Sequence, residues 1–96
     1  MESRERGLIR PAKAGSLESN DLLVLAAPFR GELVITVKSV VQAQYGEHIE
    51  KLVREVLEEE GVEEGEISIE DRGALDFAIR ARVKTAVKRG RESHES

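Results

Sequence analysis

A cluster of turn-forming residues, Gly15-Ser16-Leu17-Glu18-Ser19-Asn20-Asp21, runs without a break into the apolar stretch Leu22-Leu23-Val24-Leu25-Ala26-Ala27. Asn and Asp accept the left-handed backbone that tight hairpins demand, and their short side chains close such turns locally. The chain must reverse here, and an apolar strand must return from the reversal. Lys13 to Glu18 reads as the outgoing strand, Asp21 to Ala27 as the returning one, and Ser19 as the hairpin tip. A serine placed that way is exposed and clear of any pocket. It is poorly placed for catalysis and well placed for attachment.

Pro28-Phe29-Arg30-Gly31 then reads as a second hairpin loop, with Pro opening the turn. From Glu32 to Lys38 the pattern alternates, Leu33, Ile35 and Val37 on one face and Glu32, Thr36 and Lys38 on the other. Ser39 stands where a helix N-cap belongs. Val41, Tyr45, Ile49, Leu52, Val53, Val56 and Leu57 then recur at helical spacing, with Gly46 a candidate kink or break and Gly61 the stop. Ile67 and Ile69 mark a short strand. A second helix, from about Ala74 to Lys88, is expected to bury Leu75, Ala78, Ile79, Val83, Ala86 and Val87.

The order β-β-β-α-β-α implies an α+β fold: a small, mostly antiparallel sheet with two amphipathic helices packed on one face. Residues 1–11 are expected to be a mobile extension, 12–90 a single domain and 91–96 a polar tail. Leu23, Leu25 and Val34 fall on the face opposite Leu22 and Val24. Either that strand is covered on both faces or an apolar patch is left for a partner, and the partner surface is the reading preferred.

A chain of 96 residues is one domain at most, without the bulk for a deep enzyme cleft. It has no cysteine, which removes disulfides, thiolate metal sites and a Cys nucleophile and suits a reducing compartment. Met1–Arg10 is charged with no apolar core, and no run approaches the ~18 apolar residues of a membrane span. A cytoplasmic protein is expected. Catalytic constellations are missing too. Ser16, Ser19 and Ser39 lack the Gly-x-Ser-x-Gly context. Gly61-Val62-Glu63-Glu64-Gly65 is acidic and would repel phosphate. His48, flanked by Glu47, reads as a surface residue, and Asp76 as a favourable charge at a helix start.

The net charge of −4 is unevenly spread, with Glu crowding the middle and Arg and Lys the end. The plain reading is two solvated faces that attract each other. The sharper one gives Arg80 and Arg82 a carboxylate or phosphate partner, although Glu side chains of the first helix are equally available. A nucleic-acid module is disfavoured, because the chain is acidic and has two Phe, one Tyr and no Trp to stack on bases.

Three blocks are similar to one family. Ala14-Gly15-Ser16-Leu17-Glu18-Ser19-Asn20-Asp21 closely resembles the modification motif of the acyl carrier protein of citrate lyase, its small gamma subunit. Tyr45-Gly46 followed by an acidic residue looks similar, as does Asp71-Arg72-Gly73-Ala74-Leu75-Asp76 running into Ile79-Arg80-Ala81-Arg82. The resemblance spans about residues 12–88.

It implies a non-catalytic carrier in which the serine after Leu-Glu, Ser19, bears a group derived from triphosphoribosyl-dephospho-coenzyme A through a phosphodiester. The arm's thiol would carry acetyl and citryl thioesters between the alpha (acyl transferase) and beta (citryl lyase) subunits. A separate prosthetic-group transferase would install it. Beside such a serine, Glu18 and Asp21 are expected to serve recognition by the transferase or to bind its metal, and Arg80 and Arg82 to dock partner subunits or steady the arm's phosphates. No metal of the chain's own is implied. Asn20 stands where Gly is common in the family, and it too accepts left-handed geometry. The carrier of malonate decarboxylase is the nearer alternative, and a binding module without a prosthetic group the more distant one. The fatty-acid carrier, a helical bundle with Asp-Ser-Leu, does not match.

Overall fold

Strands β1 (Ala12–Gly15), β2 (Leu22–Ala27) and β3 (Leu33–Ser39) are followed by helix α1 (Ala43–Glu59), strand β4 (Gly65–Asp71) and helix α2 (Asp76–Arg91). The computed structural model describes residues 7–40 and 43–92. The four strands form one sheet in the order β1-β2-β4-β3. β1 pairs antiparallel with β2, β2 antiparallel with β4, and β4 parallel with β3. The α+β class and the β-β-β-α-β-α order hold, and two of the three pairings are antiparallel.

The expected β2–β3 hairpin does not exist. β4 sits between those strands, so Pro28–Gly31 carries the chain past the slot that β4 later fills. Parallel neighbours need a crossover, and α1 supplies it between β3 and β4. Alternation within β3 identifies its buried face but not which strand lies beside it. Hydrogen bonds from Gly65 N–H to the Glu32 carbonyl (3.0 Å) and from Gly31 N–H to Glu64 Oε1 (3.1 Å) tie the start of β4 to this loop.

Register explains the core. One row across the sheet runs Ala14, Val24, Ile69 and Val37, and the next runs Ala26, Ile67 and Ile35, all toward the helices. Ile49, Val53, Val56 and Leu57 of α1 and Ile79, Val83, Ala86 and Val87 of α2 close the layer above them. Each large aliphatic side chain buried this way contributes roughly 1.5–3 kcal/mol. The opposite face stays open: Leu25 is 46% exposed, while Leu23 and Val34 are half-buried.

Other expectations are corrected. β1 ends at Gly15, not Glu18. Ser39 is not an N-cap but the last residue of β3, and its hydroxyl donates to Asp71 Oδ2 at 2.9 Å. α1 runs through Gly46 unbroken and stops just before Gly61. Leu75 is 63% exposed because α2 begins only at Asp76 and Leu75 precedes its first turn. Residues 7–10, assigned to the extension, dock on the domain. Leu8 is buried, and the N–H groups of Ile9 and Arg10 donate to the Gly90 carbonyl at 2.8 and 3.2 Å. Arg91, assigned to the tail, is the last residue of α2. Val41, residues 1–6 and residues 93–96 lie outside the described residues.

Gly15 ends β1 with φ +90°, and a methyl group on it would strike the Leu22 carbonyl oxygen. That oxygen cannot retreat, because it accepts the Ser16 N–H at 3.1 Å. Gly15→Ala combines left-handed strain with this clash, and roughly 2–3 kcal/mol of stability is expected to be lost. A melting temperature about 8–20 °C below the parent in thermal denaturation would bear this out.

Candidate functional site: the Ser19 loop

The reversal between β1 and β2 is a loop from Ser16 to Asp21, with Ser19 exposed near its apex. Asn20 has φ +66°, the left-handed conformation expected of it. Asp21 N–H donates to the Glu18 carbonyl at 3.1 Å, closing a turn around Ser19 and Asn20. Glu18 N–H donates to Ser16 Oγ at 3.2 Å. The Ser16 hydroxyl is thus committed to holding the loop, and it donates in turn to Asp21 Oδ2 at 2.7 Å. Ser19 Oγ has no hydrogen-bond partner among the described residues.

Asp21 is the centre of the loop. Beyond Ser16, its carboxylate accepts the Leu22 N–H at 2.7 Å and the Arg82 guanidinium through two bonds, Nε to Oδ1 at 3.0 Å and Nη2 to Oδ2 at 2.9 Å. This planar two-point contact fixes the loop to α2. Burial acts to raise the Asp21 pKa, but the Ser16 hydroxyl, the Leu22 N–H and Arg82 outweigh it and hold it below the ordinary 3.8. A depressed folded-state value stabilises the loop above the unfolded-state pKa, and that stability is lost as pH falls through the lower folded value. The protection of the Leu22 amide, its exchange rate relative to an unstructured amide at the same pH, is therefore expected to be constant from pH 7 to about 5 and to fall below the unfolded value near 3.8. Asp21→Asn should show fast exchange already at neutral pH.

A second support comes from the β4–α2 connection. Asn20 N–H donates to the Arg72 carbonyl at 2.8 Å and Arg72 N–H to the Asp21 carbonyl at 2.9 Å, extending the β2–β4 ladder into the loop. Gly73 lies beside Asn20 with φ +97°, a left-handed conformation that favours glycine; a Cβ there would meet Asn20 Oδ1 at 3.5 Å, an ordinary contact. Asp71, fully buried, holds this connection. Its Oδ2 accepts from Ser39 Oγ (2.9 Å) and Gly73 N–H (3.1 Å), and its Oδ1 from Ala74 N–H (2.9 Å). The blocks around Ser19 and Asp71, far apart in sequence, are one structural unit.

The expected site residues separate into two places. Ser19, Glu18, Asp21 and Arg82 come together, with Glu18 exposed beside Ser19. Arg80 does not join them: it turns to α1, where its Nη2 donates to both Glu59 carboxylate oxygens at 2.8 Å and its Nη1 to Glu55 at 3.5 Å. Both cations expected to serve docking are thus held by carboxylates of the chain itself. His48 is likewise a surface residue, its Nε2 2.9 Å from Asp76 Oδ2. The structural parts of Ser16, Asp71, Arg72 and Gly73 were not foreseen. For Asp71, Arg72 and Gly73 the signal was the third sequence block, Asp71 to Asp76, which gains meaning only once β4 lies beside β2.

Among the described residues no group of His, Cys, Asp or Glu is placed to hold a metal ion, and no helix is long and apolar enough to cross a membrane. The family model described as "Malonate decarboxylase delta subunit (MdcD)", an acyl carrier family, matches residues 9–90. Citrate lyase acyl carrier proteins are similar over nearly the whole chain. That of Pectobacterium atrosepticum is 43% identical over 88 residues, covering 92% of each chain. That of Albidiferax ferrireducens is 49% identical over 83 residues, covering 85% of each. A chain from the Pseudomonas malonate decarboxylase hetero-tetramer in complex with malonate superposes with a TM-score of 0.71 at 26% identity, covering 88% of this chain and 84% of that one. With an unencumbered serine on a braced loop and such relatives along its length, the chain belongs to the family of citrate lyase acyl carrier proteins.

Proposed function

We propose that this chain is the acyl carrier subunit of citrate lyase, loaded on Ser19 Oγ with a group derived from triphosphoribosyl-dephospho-coenzyme A. The observation that carries the reading is the contrast between the two serines of the loop. Ser16 Oγ is tied to Asp21 and the Glu18 N–H, whereas Ser19 is exposed with its Oγ unpaired among the described residues. The residues present fit such a group, since a phosphodiester at Ser19 meets open solvent and displaces no hydrogen bond of the loop. Once attached, the group supplies a thiol on a long flexible arm, raising the effective concentration of acyl cargo at separate active sites.

The chain's own contribution is to present and steady the anchor. Arg82 and Asp21 fix the loop to α2, Arg72 fixes it to β4, and among the described residues no side chain bonds the Ser19 hydroxyl. Asp21 therefore acts as a positioning residue, and Glu18 remains the exposed carboxylate that a transferase could read. The partners in this reading are the alpha and beta subunits and the prosthetic-group transferase, in the cytoplasm. They would together cleave citrate to acetate and oxaloacetate.

Likeness in fold and family to the malonate decarboxylase proteins supports a second reading, a malonate decarboxylase carrier. This chain's identity of 43% and 49% to two citrate lyase carriers, against 26% to the malonate decarboxylase chain, favours the first. Loaded carrier mixed with citrate lyase alpha and beta subunits should restore oxaloacetate formation from citrate. Activity only with malonate decarboxylase subunits would transfer the assignment to the second reading.

A further inference from the structure

The most exposed large apolar side chains among the described residues are Phe77 (72%), Val40 (64%) and Leu75 (63%). All three stand around the turn that supports the Ser19 loop. Val40 N–H donates to the Asp71 carbonyl at 3.2 Å. Leu75 comes directly after Ala74, whose N–H is held by Asp71, and two residues after Gly73, which abuts Asn20. Phe77 lies in the first turn of α2. Solvent-facing aromatic and aliphatic groups add nothing to the fold of the free chain, and such anchors are what protein interfaces bury at their centres.

The charge around them is mixed: Glu18 and Asp76 are exposed at this end, but so are Lys38 and much of Arg72, and Asp76 is paired with His48 Nε2 at 2.9 Å. The surface is therefore distinguished by its apolar groups, and a complementary surface is chiefly apolar.

We infer that Val40, Leu75 and Phe77 are the docking surface for the transferase that loads Ser19, an enzyme whose active-site mouth is bordered by an apolar surface. The inference rests on the carrier reading above and names the partner of that same site. In the loading step Ser19 Oγ forms a bond to the phosphorus next to the ribose of a coenzyme A-derived triphosphate donor. The bond from that phosphorus to the outer diphosphate breaks, pyrophosphate leaves, and the hydroxyl proton passes to a base of the transferase. Forming that bond needs Oγ about 3–3.5 Å from phosphorus. The transferase must therefore cover the surface beside Ser19. Subunits that work on the thiol reach it at the end of a long arm and face no such requirement.

The test uses full-length carrier, purified transferase and the triphosphate donor, following the rate of mass gain against carrier concentration. Leu75→Ser/Phe77→Ser alters only exposed side chains, and Phe29→Ser, at the opposite end of β2 and 42% exposed, is the control. The double variant is expected to raise KM for the carrier at least about tenfold with kcat within about twofold, and Phe29→Ser to change neither. Loading of the double variant with parent kcat/KM would overturn the inference. So would normal loading combined with slowed acyl exchange on the lyase subunits, which would give the surface to them. If the parent protein itself gains no mass, the carrier reading fails, an outcome distinct from unequal loading of parent and variant.

Discussion

Replacing Ser19 by alanine is expected to abolish covalent loading completely, whereas replacing Ser16 by alanine should leave loading intact. Both serines lie in the same exposed loop, so composition does not separate them. Their hydrogen bonds do. Ser16 Oγ accepts the Glu18 N–H and donates to Asp21, so its proton and one of its lone pairs are already used inside the loop. Removing it costs about 0.5–1.5 kcal/mol per hydrogen bond. It should loosen the loop and slow loading modestly. Ser19→Ala leaves every bond of the loop in place and should be as stable as the parent in thermal denaturation. The pair of variants separates attachment from scaffolding, with intact mass after transferase treatment as the readout.

Asp71→Ala is expected to be the most destabilising single change near the site. The side chain is fully buried and accepts from Gly73 N–H, Ala74 N–H and Ser39 Oγ. Alanine takes away the acceptor of two backbone donors in the Gly73–Ala74 turn, and each unsatisfied donor costs roughly 1–3 kcal/mol. A loss of about 3–5 kcal/mol is expected, lowering the melting temperature by roughly 12 °C or more. Asparagine keeps one accepting oxygen and should lose about half as much. Because the Arg72 backbone braces Asn20 and Asp21, both variants should also load more slowly at temperatures where they remain folded. Parent-like stability of Asp71→Ala would show that the turn does not depend on this carboxylate.

Local chemistry in this chain was legible from sequence, and long-range placement was not. The left-handed Asn20, the buried rows Leu22–Val24 and Ile67–Ile69, and the helical faces of α1 and α2 follow from residue type and period. The insertion of β4 between β2 and β3 does not, because strand alternation says which side chains are buried and nothing about neighbours. That placement decides the rest of the site. It brings Arg72 and Gly73 under Asn20, and it frees Ser39 from capping α1 so that it serves Asp71. Arg82 reaches Asp21 across sixty-one positions, a pairing that neither residue's local context announces. Leu75 was misread for a different reason: its spacing fits α2, but the helix begins one residue later and leaves it in solvent.

Tandem mass spectrometry of the tryptic peptide spanning residues 14–30, after incubation with the transferase and its donor, tests the central claim most directly. Cleavage after Lys13 and Arg30 isolates Ser16 and Ser19 on one fragment that carries no other serine or threonine. A coenzyme-derived mass increment on Ser19 alone is the predicted result. An increment on Ser16, or an unmodified peptide beside a known carrier that the same transferase loads, would contradict the account.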